Sequence, residues 1–297
     1  MNSRLDTKKT KKRVRQRQIK DVCAPHKEND TVTCFDKDTL IEMIKKYNKN
    51  HKKKIFPRMT LKELKKKTRK QLWDGLNEKF REACNDERCW RDTYFKNMKA
   101  LDNDLKPVYP ESWNSNKNEW LTTSNINNVC EQFEKKYPDF MFIGAVPIDF
   151  NDKISKSTCV VNELCKFRVD KFKQSKKHKL GVIFNLDPHY KDGSHWVALF
   201  ADLQKGIIVY FDSYGYEPEQ QIIDFITRLK QENEKLGVKT RVIKNTLRHQ
   251  YKYSECGMYC IYFIKSMVEG KSYSIINNHI PDDKMEKLRA VFYYKPY

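Results

Sequence analysis

Four side chains in the second half of the sequence have the types and the order that nucleophilic catalysis needs. They are His195, Asp212, Gln250 and Cys256. A cysteine attacks as a thiolate, which a neighbouring histidine can generate, and a carboxylate can orient that histidine. A side-chain amide together with a backbone N–H can bind the oxyanion that develops on an attacked carbonyl. The four residues therefore predict the chemistry of a cysteine peptidase.

The segments around these residues predict the elements that position them. An apolar run opens at His195, and a second run over residues 206–211 ends at Asp212. Two adjacent antiparallel strands joined by a short loop would bring both side chains together. Residues 257–268 are apolar on nearly all sides, which predicts a buried helix. Cys256 would begin that helix, where the helix dipole favours a thiolate.

Each of these residues also has an ordinary structural explanation. A cysteine before a glycine is commonly a buried residue beside a turn, and a histidine at a strand edge commonly has a structural partner. An aspartate at the end of a strand is commonly a turn residue. The order of the residues and the spacing of six from Gln250 to Cys256 favour the catalytic interpretation.

This order resembles the SUMO-protease and adenovirus-protease superfamily of cysteine peptidases. The sequence has His-Trp at residues 195–196, then an aspartate that closes the next strand, then Gln-x5-Cys-Gly at residues 250–257. Upstream, Trp120-Leu121 resembles the Trp-Leu entry of SUMO-type proteases. Residues 142–150, together with residues 250–257, are similar to proteases of nucleocytoplasmic large DNA viruses. The resemblance covers about residues 118–297.

The resemblance implies a role for each matching residue. Cys256 would be the nucleophile, His195 the general base, Asp212 its orienting partner and Gln250 the oxyanion-hole residue. No metal or cofactor is expected.

Three further residues are expected to bind substrate. Trp196 would pack near the site, and Gly257 would let a substrate backbone approach closely. Trp120 would roof the tunnel that holds small substrate residues, although a tryptophan that anchors a helix start on the core is an equal alternative. Residues 122–124 are Thr-Thr-Ser, where the superfamily often has an aspartate.

For function, the resemblance implies an endopeptidase that acts in virion maturation, as a late protein of the virion and the host cytoplasm. It would cleave capsid or core polyprotein precursors after Gly-Gly or Ala-Gly sites. One alternative is an isopeptidase that removes SUMO or ubiquitin. The other is a non-catalytic, nucleic-acid-binding virion protein.

The predicted fold class is α+β, a SUMO-protease-like domain with a central sheet and a packed nucleophile helix. A small basic helical domain would precede it. Residues 1–20 predict a disordered basic tail, residues 21–110 the helical accessory domain and residues 118–297 the protease domain. In the accessory domain, residues 38–48 have a helical pattern with Asp38 as N-cap, and one longer helix is expected after Thr60.

The charge is strongly positive and unevenly distributed. The formal net charge is +20, and residues 1–119 hold 32 Lys and Arg against 18 Asp and Glu, a net of +14. Such a segment is typical of proteins that meet DNA or another polyanion. A solvated, lysine-rich surface is the other explanation, and the sequence leaves both open.

The nine cysteines predict neither a disulfide framework nor a zinc site. Their number is odd, no Cys-x2-Cys pair occurs, and a nucleophilic thiol fits a reducing compartment. Cys84, Cys89, Cys23 and His26 could be drawn as a metal site, but buried core cysteines are favoured. The sequence shows neither a membrane-span pattern nor a secretion signal.

Overall fold

The structure, a computed structural model, describes residues 22–27 and 32–296. The chain forms two compact units, one of the described residues up to 108 with residues 290–296, and one of residues 109–289. The tail predicted as disordered lies outside the described residues. The bounds predicted for the accessory and protease domains stay predictions.

The described part of the first unit is mainly helical. Its elements are a 3-10 turn at Pro25–Lys27, α1 at Lys37–Asn50, α2 at Leu61–Lys66, α3 at Arg69–Phe80, α4 at Glu87–Tyr94 and a 3-10 turn at Lys99–Asp104. The predicted first helix is present, but its N-cap is Asp36 instead of Asp38, since the Asp36 carboxylate accepts from Thr39 N at 2.7 Å. The core of the unit is a cluster of buried apolar side chains that includes Phe80 and Trp90.

The single long helix expected after Thr60 is wrong. Thr60 and Glu63 form a capping box at its start, but α2 ends at Lys66. Thr68 then opens α3 with a second capping box, in which its hydroxyl accepts from Gln71 N. A threonine that caps must take an extended backbone, which interrupts the helix although the apolar stripe continues.

The second unit contains the sheet, and its α+β architecture is as predicted. The strands are β1 at Phe140–Pro147, β2 at Lys179–Asn185, β3 at Trp196–Asp202, β4 at Ile207–Phe211 and β5 at Arg241–Lys244. They lie side by side in chain order, with β1 parallel to β2, β3 antiparallel to both neighbours and β5 parallel to β4. The carboxyl ends of the other four strands therefore lie at the same end of the sheet as the start of β3.

Helices cover both faces of this sheet. After residue 109 the helices are α5 at Thr123–Lys136, α6 at Asn162–Cys165, α7 at Val169–Gln174, α8 at Gln220–Lys235, α9 at Cys256–Val268 and α10 at Asp282–Phe292, with 3-10 turns at Glu111–Asn114 and Tyr273–Asn277. Helices α5 and α9 pack on one face, while α7 and α8 close an apolar core on the other.

The cysteines differ from the expectation of reduced core residues. Six of them are paired in disulfides, Cys23 with Cys34, Cys84 with Cys89 and Cys159 with Cys165. Cys130, Cys256 and Cys260 are free and buried. The metal site drawn from the sequence does not form, because its three cysteines are in disulfides. Sequence spacing alone carries no information on which cysteines meet in space.

No helix in the described ranges is both long and apolar enough to cross a bilayer.

Candidate active site

His195 and Asp212 meet at the edge of the sheet. In the antiparallel pair of β3 and β4, Ala198 lies opposite Phe211, so the residues before β3 and after β4 leave the sheet together. His195 Nε2 lies 2.6 Å from Asp212 Oδ1. Since the carboxylate can only accept, Nε2 donates this hydrogen bond and Nδ1 is the nitrogen that remains for the thiol.

Asp212 is buried and held from several directions. Its Oδ1 also accepts from Tyr214 N at 2.9 Å, and its Oδ2 accepts from Tyr216 N at 3.3 Å. Asn245 binds its main chain twice, accepting from Asp212 N at 3.0 Å and donating to Asp212 O at 2.6 Å. The carboxylate is therefore pre-positioned against His195, and Asn245 is a positioning residue that the sequence did not reveal.

The loop before His195 depends on Gly193. Its φ is +99°, and a Cβ there would lie 2.5 Å from Asn185 Nδ2. The Asn185 carboxamide oxygen accepts from Ser194 N at 3.2 Å, and Leu186 N donates to His195 O at 2.9 Å. A glycine is needed here both for the backbone conformation and for the close approach of Asn185.

Cys256 starts α9 and lies near enough to His195 for its thiol to influence the pKa of the imidazole. Burial favours the neutral imidazole, but the hydrogen bond to Asp212, the interaction with Cys256 and the charges of both groups outweigh it and raise the pKa of His195 to about 9. The imidazole therefore holds a proton at neutral pH beside the thiol. A protonated histidine is the partner that stabilises a thiolate.

Gln250 is fully buried and anchored at both ends of its carboxamide. Its Oε1 accepts from Ser213 Oγ at 2.7 Å, and its Nε2 donates to Lys252 O at 2.6 Å. Gln250 N also donates to Ser213 O at 2.9 Å. Because Ser213 directly follows Asp212, this bond holds Gln250 close to the His195–Asp212 pair. The amide has two N–H groups, so one remains for an oxyanion. The Cys256 N–H, at the first turn of α9, is a second available donor.

The three residues expected to bind substrate have different surroundings. Trp120 is 46% exposed, whereas Trp196 is buried and donates from Nε1 to Leu121 O at 2.9 Å. The space beside Gly257 is filled by Leu121, whose atoms would lie 3.0 Å from an added Cβ. Gly257 therefore lets Leu121 approach closely, and its expected contact with a substrate backbone stays a prediction.

A groove of about 380 Å³ lies next to the loop that precedes His195. Its walls come from the start of α5, the ends of β1 and β2 and the loop before His195, and they include Trp120, Thr122, Ala145, Pro147, Asn185, His189, Gly193 and Trp196. One wall is fixed by a pair, since Asp149 Oδ2 lies 2.6 Å from His189 Nδ1. Both tryptophans predicted to bind substrate line this groove.

A buried ion pair lies directly before the nucleophile. Glu255 has no exposed surface and pairs with Arg289 at 3.0 Å, and Arg289 Nη2 also donates to Glu119 O at 2.7 Å. The Arg289 guanidinium lies 4.4 Å from the ring centroid of Trp113. Burial raises the pKa of Glu255, against the opposing effect of Arg289. The ion pair ties the start of α9 to the segment that carries Trp120.

In the ranges that the structure describes, metal-binding side chains converge in one place, at Cys23, Cys34 and Glu87. The two sulfurs there are joined in a disulfide, so they are not available as ligands. His195 and Cys256 do not belong to that group.

Comparisons with known proteins identify the family of this chain. Residues 122–296 match the model of the Ulp1 protease family, C-terminal catalytic domain. The chain belongs to the Ulp1 protease family. A chain of Acanthamoeba polyphaga mimivirus assigned as a thiol protease is 31% identical to this Ulp1-family protease over 287 residues, 92% of this chain and 93% of the relative. A cysteine protease of African swine fever virus is 28% identical over 244 residues, 76% of this chain and 89% of the relative.

The comparison with solved structures shows the same fold as a known viral protease. The crystal structure of an African swine fever virus protease superposes with a TM-score of 0.65 at 21% identity, over 93% of this Ulp1-family protease and 97% of that chain. The predicted peptidase class and the predicted likeness to proteases of large DNA viruses are confirmed. The individual roles of His195, Asp212, Gln250 and Cys256 stay predictions.

Proposed function

We propose that this Ulp1-family protease is a viral maturation endopeptidase that cleaves structural precursor polyproteins after small residues. The observation that carries the proposal is the cluster of Cys256, His195 and Asp212 beside a groove that Trp120 and Trp196 line. The relatives from two large DNA viruses support the viral setting. The virion and the host cytoplasm are the proposed locations.

In the proposed mechanism, the Cys256 thiolate attacks the carbonyl carbon of the scissile bond and forms a C–S bond. The carbonyl oxygen becomes an oxyanion, which the free N–H of Gln250 and the N–H of Cys256 stabilise. His195 then gives its proton to the leaving nitrogen as the C–N bond breaks. Asp212 holds the imidazole ring through both steps.

The acyl-enzyme is released by water. His195, now neutral, takes a proton from the water as its oxygen attacks the thioester carbon. The C–S bond breaks and the carboxylic acid leaves, which restores the Cys256 thiolate beside the protonated His195 and completes the cycle. No further group is required for this chemistry, since the thiol, the imidazole and water supply every atom and proton.

The groove supports a preference for small residues before the scissile bond. Trp196 is fixed through its hydrogen bond to Leu121 O, and Trp120 stands partly exposed at the groove. In the proposed binding mode the substrate backbone passes between the two indole rings, which would exclude bulky side chains there. Glycine and alanine would therefore be favoured next to the attacked carbonyl.

An isopeptidase that acts on SUMO is the second candidate. Relatives from several African swine fever virus isolates are named SUMO-1 cysteine protease. Such an enzyme needs the same catalytic groups, so the chemistry does not separate the two candidates. The substrate does, because an isopeptidase recognises a folded ubiquitin-like domain before the scissile bond.

The basic first unit supports an additional polyanion-binding role, with DNA as the candidate partner. Residues 49–70 hold eleven Lys and Arg against one acidic residue, and nine of the eleven are exposed. The exposed ones are Lys49, Lys52, Lys53, Lys54, Arg58, Lys62, Lys65, Lys66 and Lys70. Such a concentration of one charge attracts nucleic acid in a salt-dependent way. Catalysis and binding can coexist, since the catalytic side chains belong to residues 195–256.

Cleavage of two reporters by wild type and Cys256→Ala tests the proposal. One reporter is a Gly-Gly linker between folded domains, and the other is a SUMO domain fused to a carboxyl-terminal reporter. Cys256-dependent cleavage of the linker is expected. Selective cleavage after the SUMO domain would replace the proposal with the isopeptidase, and cleavage by Cys256→Ala would remove Cys256 as nucleophile.

The same reporters with added duplex DNA test the binding role. A cleavage rate or a DNA affinity that falls with salt is expected, and replacing Lys52, Lys53 and Lys54 with Gln should weaken binding and reduce its salt dependence. Equal DNA affinity of this triple variant and wild type would mean that these lysines do not bind DNA and form an ordinary solvated surface.

A further inference from the structure

A second surface lies across His195 from the groove. In the sheet, β3 lies between β2 and β4, and the groove is built from the ends of β1 and β2. Tyr214 and Tyr216 follow β4, while Arg248 and Tyr251 follow β5. The order of the strands therefore places these four residues on the other side of His195. We call these four residues the leaving-side surface.

The leaving-side surface is continuous with the catalytic histidine. The rings of His195 and Tyr214 are stacked with centroids 4.8 Å apart. The Arg248 guanidinium lies 5.2 Å from the centroid of Tyr214 and 4.9 Å from that of Tyr251. Aromatic rings and a guanidinium thus form one path that starts at His195.

Arg248 is held in place, yet its terminal nitrogens are free to bind. Its Nε donates to Gln250 O at 2.8 Å, which fixes the plane of the guanidinium against the two rings. Within the described part of the chain, its Nη atoms have no hydrogen-bond partner, and it forms no ion pair with a carboxylate. A fixed guanidinium fork is suited to a carboxylate.

The tyrosines beside it are unusually open to solvent. Tyr216 is 65% exposed and Tyr251 is 61% exposed. Tyrosine and arginine are enriched in protein-binding surfaces. A tyrosine ring buries a large area when a partner binds and loses little side-chain entropy.

We propose that the leaving-side surface binds the polypeptide that follows the scissile bond and selects an acidic residue in it. This inference rests on the proposed function, because the leaving amine must lie where His195 can protonate it. The chain after that amine then runs over Tyr214 towards Arg248. A substrate of this enzyme would carry small residues before the cut and an aspartate or glutamate shortly after it.

The distances indicate how many residues after the scissile bond the acidic residue lies. The steps from His195 to Tyr214 and from Tyr214 to Arg248 are 4.8 Å and 5.2 Å. An extended chain advances about 3.3–3.6 Å per residue. Arg248 is therefore reached by roughly the second or third residue after the scissile bond.

Matched peptides test the selection. Each has the same Gly-Gly acyl side, and the leaving side carries Asp, Asn or Lys at one of its first four positions in turn. For wild type, kcat/KM should be about tenfold higher for Asp than for Asn at the second or third position, the size expected of one charge-assisted hydrogen bond. Arg248→Gln should bring the Asp/Asn ratio close to one, and Arg248→Glu should favour Lys.

Arg241→Gln is the matched control. Arg241 is also exposed and lies over a tyrosine, with its guanidinium 5.4 Å from the ring of Tyr273, but it belongs to β5. Its replacement should leave the Asp/Asn ratio unchanged. If Arg248 only supported the fold, its replacement would slow cleavage of the Asp and Asn peptides equally and keep their ratio.

A binding measurement separates this inference from the proposed function. The Asp and Asn leaving-side peptides, with free amino termini and a fluorescent label, are titrated with Cys256→Ala and Cys256→Ala/Arg248→Gln. Tighter binding of the Asp peptide that disappears with Arg248→Gln supports the inference even if wild type cleaves no peptide. An Asp/Asn ratio near one for wild type in both assays would overturn it.

Discussion

Gly257 and Leu121 approach so closely that a side chain at position 257 would press against Leu121. A Cβ added to Gly257 would lie 3.0 Å from both Cβ and Cδ1 of Leu121. Leu121 cannot easily move away, because its carbonyl accepts from Trp196 Nε1 and it is itself buried. The second residue of α9 and the segment that carries Trp120 are therefore fixed together.

Gly257→Ala should reduce activity by displacing Leu121 and, with it, Trp120. Overpacking of this kind typically costs about 1–3 kcal/mol. We expect a lower kcat/KM and a lower free energy of unfolding in urea. The double variant Gly257→Ala/Leu121→Ala relieves the contact and should recover part of the activity, whereas Leu121→Ala alone leaves a cavity. Additive losses in the double variant would show that the two residues do not interact.

Arg289→Gln should destabilise the enzyme at neutral pH and do so less in mild acid. It leaves the carboxylate of Glu255 buried without its cationic partner, a change that typically costs about 3–5 kcal/mol. Burial already raises the pKa of Glu255, and the loss of the charge of Arg289 should raise it further. The protonated form then becomes accessible in mild acid, so the deficit against wild type should shrink as the pH falls.

Urea unfolding of both proteins at pH 5 and pH 7 measures this effect. Arg241→Gln, an exposed arginine of the same unit, is the control and should behave as wild type at both pH values. An equal deficit at pH 5 and pH 7 would mean that the carboxylate of Glu255 is not the source of the cost.

The catalytic framework was predictable because it depends on local patterns. Short apolar runs predicted β3 and β4, and the loop length between them predicted the antiparallel pairing that joins His195 to Asp212. The wholly apolar segment after Cys256 predicted α9. In each case the signal was a burial pattern within one segment, which sequence periodicity reports directly.

The supporting residues were not predictable, because their contacts join distant segments. Asn245 reaches Asp212 across 33 residues, and Arg289 reaches the carbonyl of Glu119 across 170. The contact between Gly257 and Leu121 was not predictable for the same reason, since nothing in the sequence places Leu121 beside Gly257. A Trp-Leu pair ahead of a capped helix was the one available signal for that segment.

The pH dependence of cleavage should show an alkaline limb near pH 9. The pKa of His195 is raised to about 9, so the imidazolium that protonates the leaving amine is present below that pH and is lost as pH rises through it. The raised pKa also stabilises the fold. That stabilisation is fully present below the ordinary histidine value of 6.5 and is lost as the pH rises through about 9.

Asp212→Asn should move this alkaline limb to lower pH. The variant keeps an oxygen that can accept from Nε2 but loses the negative charge that helps to raise the pKa of His195. Initial rates measured from pH 5 to pH 10.5 for wild type and Asp212→Asn test the assignment. An unchanged alkaline limb in the variant would mean that the limb reports another group.

Gln250→Ala should lower kcat by on the order of a hundredfold with little change in KM, because an oxyanion donor acts only once the tetrahedral intermediate forms. Ser213→Ala removes the hydroxyl that holds Gln250 Oε1 at 2.7 Å, and it leaves the carboxamide in place but less firmly oriented. Ser213→Ala should lower kcat less, by about tenfold, because Ser213 acts only by orienting Gln250.

In the double variant the loss should equal that of Gln250→Ala alone, because Ser213 has nothing left to orient. Losses that multiply in the double variant, measured as kcat on one Gly-Gly reporter, would show that Ser213 acts independently of Gln250.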